Sequence, residues 1–148
     1  MQSPRVSDEQ LAWERSRSLA ITSDVIWKLD AYRAALFFRH VARVDCRTIH
    51  AARPEDVIAR QLLAAAGSIG ANLAEGYTRS TRSDRVRFLD YALGSTRECV
   101  TWYEAAREAL PDAVIDDRLC LLMRIRSLLL GMIRSIRTST MVSTRFEP

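Results

Sequence analysis

The scarcity and placement of glycine and proline constrain this chain most. Five Gly and four Pro are spread over 148 residues, and none falls between Arg5 and Arg53. Long stretches without chain breakers suit long helices and argue against a many-stranded fold, which needs frequent turns. The length is that of one ordinary domain. An apolar fraction of 48% is enough to fill its core. The expected class is all-α.

Residues 1–20 are polar and read as an N-terminal extension, with a short helix around Asp8 to Ser18. The helical body is expected over 21–139, and 140–148 reads as a polar, frayed tail. The first long helix is expected from Asp24 to Asp45, capped by Ser23. Val25, Leu29, Tyr32, Leu36 and His40 follow the spacing of one buried face. Trp27, Ala34, Phe38 and Val41 lie on the other side. A helix apolar on two faces needs two partners, one of them a second subunit on this reading.

Cys46 to Arg53 reads as a connection, and Pro54 as the first turn of a second helix running to Tyr77. The core stripe of that helix is Ile58, Leu62, Ala65, Ala66, Ile69 and Leu73. Its run of Ala and Gly from Ala64 to Ala74 lets another helix come close. Thr81 and Asp84 have capping-box spacing and open a third helix, Asp84 to Leu110. Val86, Leu89, Leu93, Val100 and Tyr103 form its stripe, widened by Phe88, Tyr91, Ala92, Cys99, Trp102 and Ala106. Pro111-Asp112 allows only an antiparallel neighbour. The fourth helix is expected from Ala113 to Ser139, with Leu121, Leu122, Ile125, Leu128, Leu129, Met132, Ile133 and Ile136 on its wide apolar face. Four long helices with short links predict an antiparallel up-down-up-down four-helix bundle.

No constellation for catalysis emerges. His40 and His50 are the only histidines, and His40 reads as a core residue. Glu-x-x-His pairs, H-E-x-x-H, a Walker A loop and G-x-S-x-G are all missing. Three cysteines without a CxxC pair argue against a disulfide framework or a zinc site; Cys99 and Cys120 read as small core residues. The expectation is a protein with no catalytic residue, metal or cofactor, resident in a reducing cytoplasm. No apolar run reaches membrane-span length, and the polar start is no signal peptide.

The net charge of +4 permits a polyanionic partner without demanding one. Lys28 is the only lysine among 22 basic residues. Arg forks match phosphates better than Lys does, but genomic base composition yields the same bias. Arg79, Arg82, Arg85 and Arg87 cluster at the start of the third helix, with Ser and Thr between them. Their helix dipole position is unfavourable. They read either as a phosphate grip or as a solvated helix start. Arg126, Arg134 and Arg137 share one side of the fourth helix, in a stretch from Arg118 to Arg145 without an acidic residue. Ser68, Asn72 and Glu75 make a polar stripe beside the core. It reads as an RNA or ligand contact, or as a buried network with Ser95, Glu98 or a neighbouring Arg. Buried polar groups must be paired, which favours the network.

The segment Gly67 to Gly76 (GSIGANLAEG), then Arg79, then Arg87 to Ser95 (RFLDYALGS) with Glu98 resembles a known family. It is similar to the four-helix-bundle proteins encoded by intervening sequences in bacterial 23S ribosomal RNA genes. Their pattern reads approximately S-I-x-A-N-I-A-E-G, then F-L-x-x-A-x-G-S-x-x-E, and Leu73 replaces the usual Ile. The resemblance implies a homopentameric ring. A related branch comprises the accessory variability proteins of diversity-generating retroelements, basic pentamers that bind a reverse transcriptase and nucleic acid. The resemblance therefore implies a non-catalytic accessory protein that binds RNA or DNA, or alternatively a scaffold for such a reverse transcriptase. The long N-terminal extension and modest charge depart from a typical member.

Overall fold

The structure, a computed structural model, describes residues 6–143, with side chains through Ser139. Residues 1–5 and 144–148, which include most of the expected tail, lie outside the described residues; 140–143 continue the last helix.

The described chain is all helical. Six α-helices run in order: α1 Asp8–Arg15, α2 Leu19–Thr22, α3 Asp30–Ala52, α4 Ile58–Tyr77, α5 Arg82–Ala105 and α6 Asp112–Ser143; a 3-10 turn, Val25–Lys28, precedes α3. Helix α4 packs on α3 and α5, and α6 packs on α3 and α5, so the four long helices enclose one core. Partners across the helices set an antiparallel register. Cys46 meets Ala59 while Leu36 meets Gly70, and Ser68 meets Ser95 while Gly76 meets Phe88. Among the described residues no helix is long and apolar enough to cross a membrane.

Local chemistry explains most of the boundaries. The Thr81 hydroxyl accepts from the Asp84 N–H at 3.1 Å and donates to the Asp84 carboxylate at 2.8 Å, so this pair opens α5. Asp24, rather than Ser23, caps the first turn, accepting from the Ile26 N–H at 3.0 Å. Pro54 falls in a turn before α4, and the Asp56 carboxylate accepts from Ile58 N–H at the helix start.

The core of α4 is the stripe expected from its spacing: Ile58, Leu62, Ala65, Ala66, Ile69 and Leu73 are all buried. Helix α3 differs. Its buried face is Ala31, Ala34, Ala35, Phe38, Ala42, Cys46 and Ile49. The stripe expected to be buried is half-exposed, and its ends, Val25 and His40, are exposed. The 3-10 turn breaks the period between Val25 and α3, and the alanines that mark the true core are too small to dominate a pattern. Helix α3 also runs on through Ala52, which places Cys46 in the core instead of a connection. Cys120, expected inside, is exposed, as is Val100.

Of the side expected to need a second subunit, Ala34 and Phe38 lie in the core, while Phe37 and His40 of α3 find a partner within the chain. Helix α1 lies on α3, with Trp13 against Phe37 (5.7 Å between ring centroids), His40 (5.8 Å) and Trp27 (6.5 Å). Gln10 of α1 is 2% exposed and accepts a 2.9 Å hydrogen bond from Arg124 of α6. Gln10 in turn donates to Glu14, which pairs with Arg33.

Candidate nucleic-acid interface

The residues of the α4–α5 signature fall into two fastenings between these helices. In the first, the Asn72 side chain donates to the Ser68 carbonyl and hydroxyl, both at 2.9 Å, and the Ser95 hydroxyl lies 3.0 Å from that of Ser68. All three are half-buried. In the second, Glu75 pairs with Arg79, whose guanidinium lies 4.8 Å from the centre of the Phe88 ring. Phe88 in turn packs over Gly76, where a Cβ would stand only 2.8 Å from the Phe88 Cβ. Glu75 therefore belongs to the second fastening, not to the serine–asparagine group. Glu98 joins neither: it is exposed and accepts from the Trp102 indole N–H on its own helix.

The arginines differ in their commitments. Arg79 is bent back onto Phe88, and its Nε is buried without a hydrogen-bond partner. Arg85 Nε donates to the Arg79 carbonyl at 2.7 Å, fastening the link between α4 and α5. Arg87 pairs with Asp84 at 2.9 Å. Arg82 is exposed at the first turn of α5. On α6, Arg126, Arg134 and Arg137 are all exposed. An apolar hollow of about 340 Å³ is lined by Leu73, Leu89, Met132 and Ile136, with Arg85 among its walls. This hollow puts the start of α5 and the last third of α6 at the same end of the molecule. The arginines around Arg82 and around Arg134 thus lie toward the same end of the fold, although about fifty residues apart in sequence. Arg126 lies roughly 12 Å further back along α6 than Arg134, at 1.5 Å per residue.

Away from this end, a second polar group was not foreseen. The Asp45 carboxylate, buried on α3, accepts from the Tyr103 hydroxyl on α5 at 2.6 Å and from Arg118 Nε on α6 at 2.8 Å. Three helices meet on one carboxylate. Burial, then the bond to Asp45, pushes the Tyr103 phenol far above its ordinary range. Among the described residues no group of three or more His, Cys, Asp and Glu side chains is placed to share a metal ion.

The model of the 23S rRNA-intervening sequence protein family matches residues 28–111. A crystal structure of a protein of unknown function from the S23 ribosomal protein family of Bacteroides thetaiotaomicron superposes with a TM-score of 0.66 at 24% identity, covering 70% of this chain and 97% of that one. At that identity the likeness speaks to the fold. No curated protein matches the chain. Helices α1 and α2 precede the matched family region.

Proposed function

Because the chain belongs to the 23S rRNA-intervening sequence protein family, we propose that it is a non-catalytic, homo-oligomeric accessory protein that binds RNA or DNA. The protomer on this reading is an antiparallel four-helix bundle, and five of them form a ring. The observation that supports the nucleic-acid reading is the set of exposed arginines toward one end of the fold, Arg82 and Arg85 at the start of α5 and Arg134 and Arg137 in the last third of α6. No acidic residue follows Asp117 until Glu147, so every formal charge on α6 beyond Asp117 is positive. Repeated around a ring axis, such a patch becomes multivalent.

Assembly is supported by apolar side chains left open on α5 and α6: Tyr91 is 53% exposed, Val100 36% and Met123 64%. Helix α3 supports it less than the sequence suggested, because Ala34 and Phe38 face the core and α1 lies over Phe37 and His40.

The test is the mass of the purified protein in solution, with and without structured RNA, at low and moderate salt. A pentamer that takes up RNA, with affinity falling steeply as salt rises, supports the reading. The triple variant Arg82→Glu, Arg134→Glu, Arg137→Glu is then expected to lose RNA and keep its fold. It spares Arg85, which holds a backbone carbonyl. A pentamer indifferent to RNA would transfer the surface to a protein partner, such as a reverse transcriptase. A monomer indifferent to RNA would end both readings.

A further inference from the structure

A different basic surface, on the other side of α4 from the α5 fastenings, is built partly by the N-terminal segment. Arg39, Arg43 and Arg47 recur every four residues along α3, and all three are exposed. Four residues advance a helix by about 6 Å and turn it only about 40° past a full circle, so the three share one face. The ion pairs of α3 and its cap fall elsewhere, on Asp30, Arg33, Asp45 and Arg53.

The N-terminal segment closes over this stripe to make a groove. Trp13, Ser16, Arg17, Arg39, His40 and Arg43 line it, and no acidic residue does. Arg17 is held in place there. Its Nε donates to the Trp13 carbonyl at 3.1 Å, its Nη2 to the Ser16 hydroxyl at 2.8 Å, and its guanidinium lies 4.4 Å over the Trp13 ring. The buried Trp13 indole N–H has no hydrogen-bond partner. On the opposite wall, Arg39 crosses α4 at Gly67, where a Cβ would stand 3.4 Å from the Arg39 Nε. The glycine leaves that path open.

We propose that a single-stranded nucleic-acid backbone runs through this groove and on along α3, with Arg17, Arg39 and Arg43 on its phosphates in the groove and Arg47 one turn beyond it. A row of cations at regular spacing, without interleaved carboxylates, fits a chain of charges rather than one anion. Arg, not Lys, provides the fork that phosphate oxygens accept from. The proposal rests on the reading that the protein binds nucleic acid, but it assigns a separate surface, and one built partly by residues that precede the family match.

The experiment titrates full-length protein into a short, labelled single-stranded RNA across a salt series, following anisotropy. For Arg39→Ala, Arg43→Ala, Arg47→Ala the affinity at low salt is expected to fall about tenfold or more. The slope of log K against log salt is expected to drop by about 2, near 0.7 for each of three lost phosphate contacts. The Lys variant at the same three positions keeps the slope and so separates lost charge from lost fold. Arg17→Ala, which changes only the outer wall, is expected to lose affinity about threefold. If the alanine and Arg17 variants match wild type while the Arg82, Arg134 and Arg137 variant loses binding, the groove is idle and the arginine end alone carries the function. If the reverse holds, the groove stands and the arginine end does not. A wild-type protein that binds no RNA or single-stranded DNA at low salt overturns both.

Discussion

The Tyr103 hydroxyl on α5 donates a 2.6 Å hydrogen bond to Oδ2 of Asp45 on α3, a carboxylate only 5% exposed. Arg118 of α6 donates to the same carboxylate, through Nε to Oδ2 at 2.8 Å and through Nη2 to Oδ1 at 3.4 Å. One acidic group thus ties together three of the four long helices. Its geometry satisfies the desolvated charge, which is the condition for burying one.

Removing that carboxylate leaves two donors stranded. Asp45→Ala is expected to destabilise the fold by about 2–4 kcal/mol, below the full figure for a broken buried pair because Arg118 keeps Asp117. Tyr103→Phe removes one neutral donor and leaves the ion pair, so about 1 kcal/mol is expected. Chemical denaturation of both variants checks the order. Equal losses would mean that the arginine contributes little.

Alkaline pH acts on the same region. Burial, then the neighbouring Asp45, pushes the Cys46 thiol up to about 11 from an ordinary 9.0, and burial pushes Cys99 and Tyr103 higher still. Each group binds its proton more tightly folded than unfolded. The stability this contributes is fully present below about pH 9 and is lost as pH rises through about 11 and beyond. The melting temperature is therefore expected to fall from pH 9 upward, and less steeply in Tyr103→Phe with Cys46→Ser. In the native protein near neutral pH, iodoacetamide is expected to modify Cys120, which is exposed, and to spare Cys46 and Cys99. Rapid labelling of all three thiols would contradict the burial.

What could be read in the sequence was local. The α4 stripe from Ile58 to Leu73 carries a full 3-4 period with large side chains, and the Thr81–Asp84 cap spans only four residues. The buried face of α3 does not stand out in the spacing because four alanines, at 31, 34, 35 and 42, define much of it, while larger residues such as Tyr32 and His40 line its partly exposed side. Asp45 with Tyr103 and Gln10 with Arg124 were invisible for another reason. Their partners lie 58 and 114 residues apart, beyond any periodic signal. The arginine spacing on α3 stands in the sequence, but the groove exists only because Trp13 folds α1 back onto that helix.

That docking makes its own prediction. Arg124 is 8% exposed and has the Gln10 carbonyl oxygen as its hydrogen-bond acceptor. Gln10→Ala is expected to cost about 1–3 kcal/mol, the cost of stranding a buried donor. Gln10→Glu keeps an acceptor for Arg124 but sets a carboxylate against Glu14, which now accepts from the Gln10 amide, and is expected to lose a similar amount. Proteolysis of the Gln10→Ala variant should start within residues 6–22, where the anchor is lost. Unchanged cleavage there would mean that the Trp13 contacts alone hold α1.

Two glycines on facing helices should respond in opposite ways. At Gly76 a Cβ would stand 2.8 Å from the Phe88 Cβ, so Gly76→Ala must push α4 and α5 apart, and a loss of about 1–3 kcal/mol is expected. At Gly94, mid-helix in α5 and exposed, a Cβ would meet nothing within 4 Å. Within one protomer, Gly94→Ala should therefore stabilise by about 0.5–1 kcal/mol, since Ala restricts the unfolded chain and favours helix. A glycine there costs the single protomer stability, and Tyr91 stands exposed one turn earlier. Both facts suit a second subunit approaching α5 closely at this point. The decisive comparison is Gly94→Leu, read by light scattering and by melting at several protein concentrations. A smaller assembly with an intact helical spectrum would put Gly94 in the subunit contact. An unchanged mass and an unchanged concentration dependence would move the contact to another face.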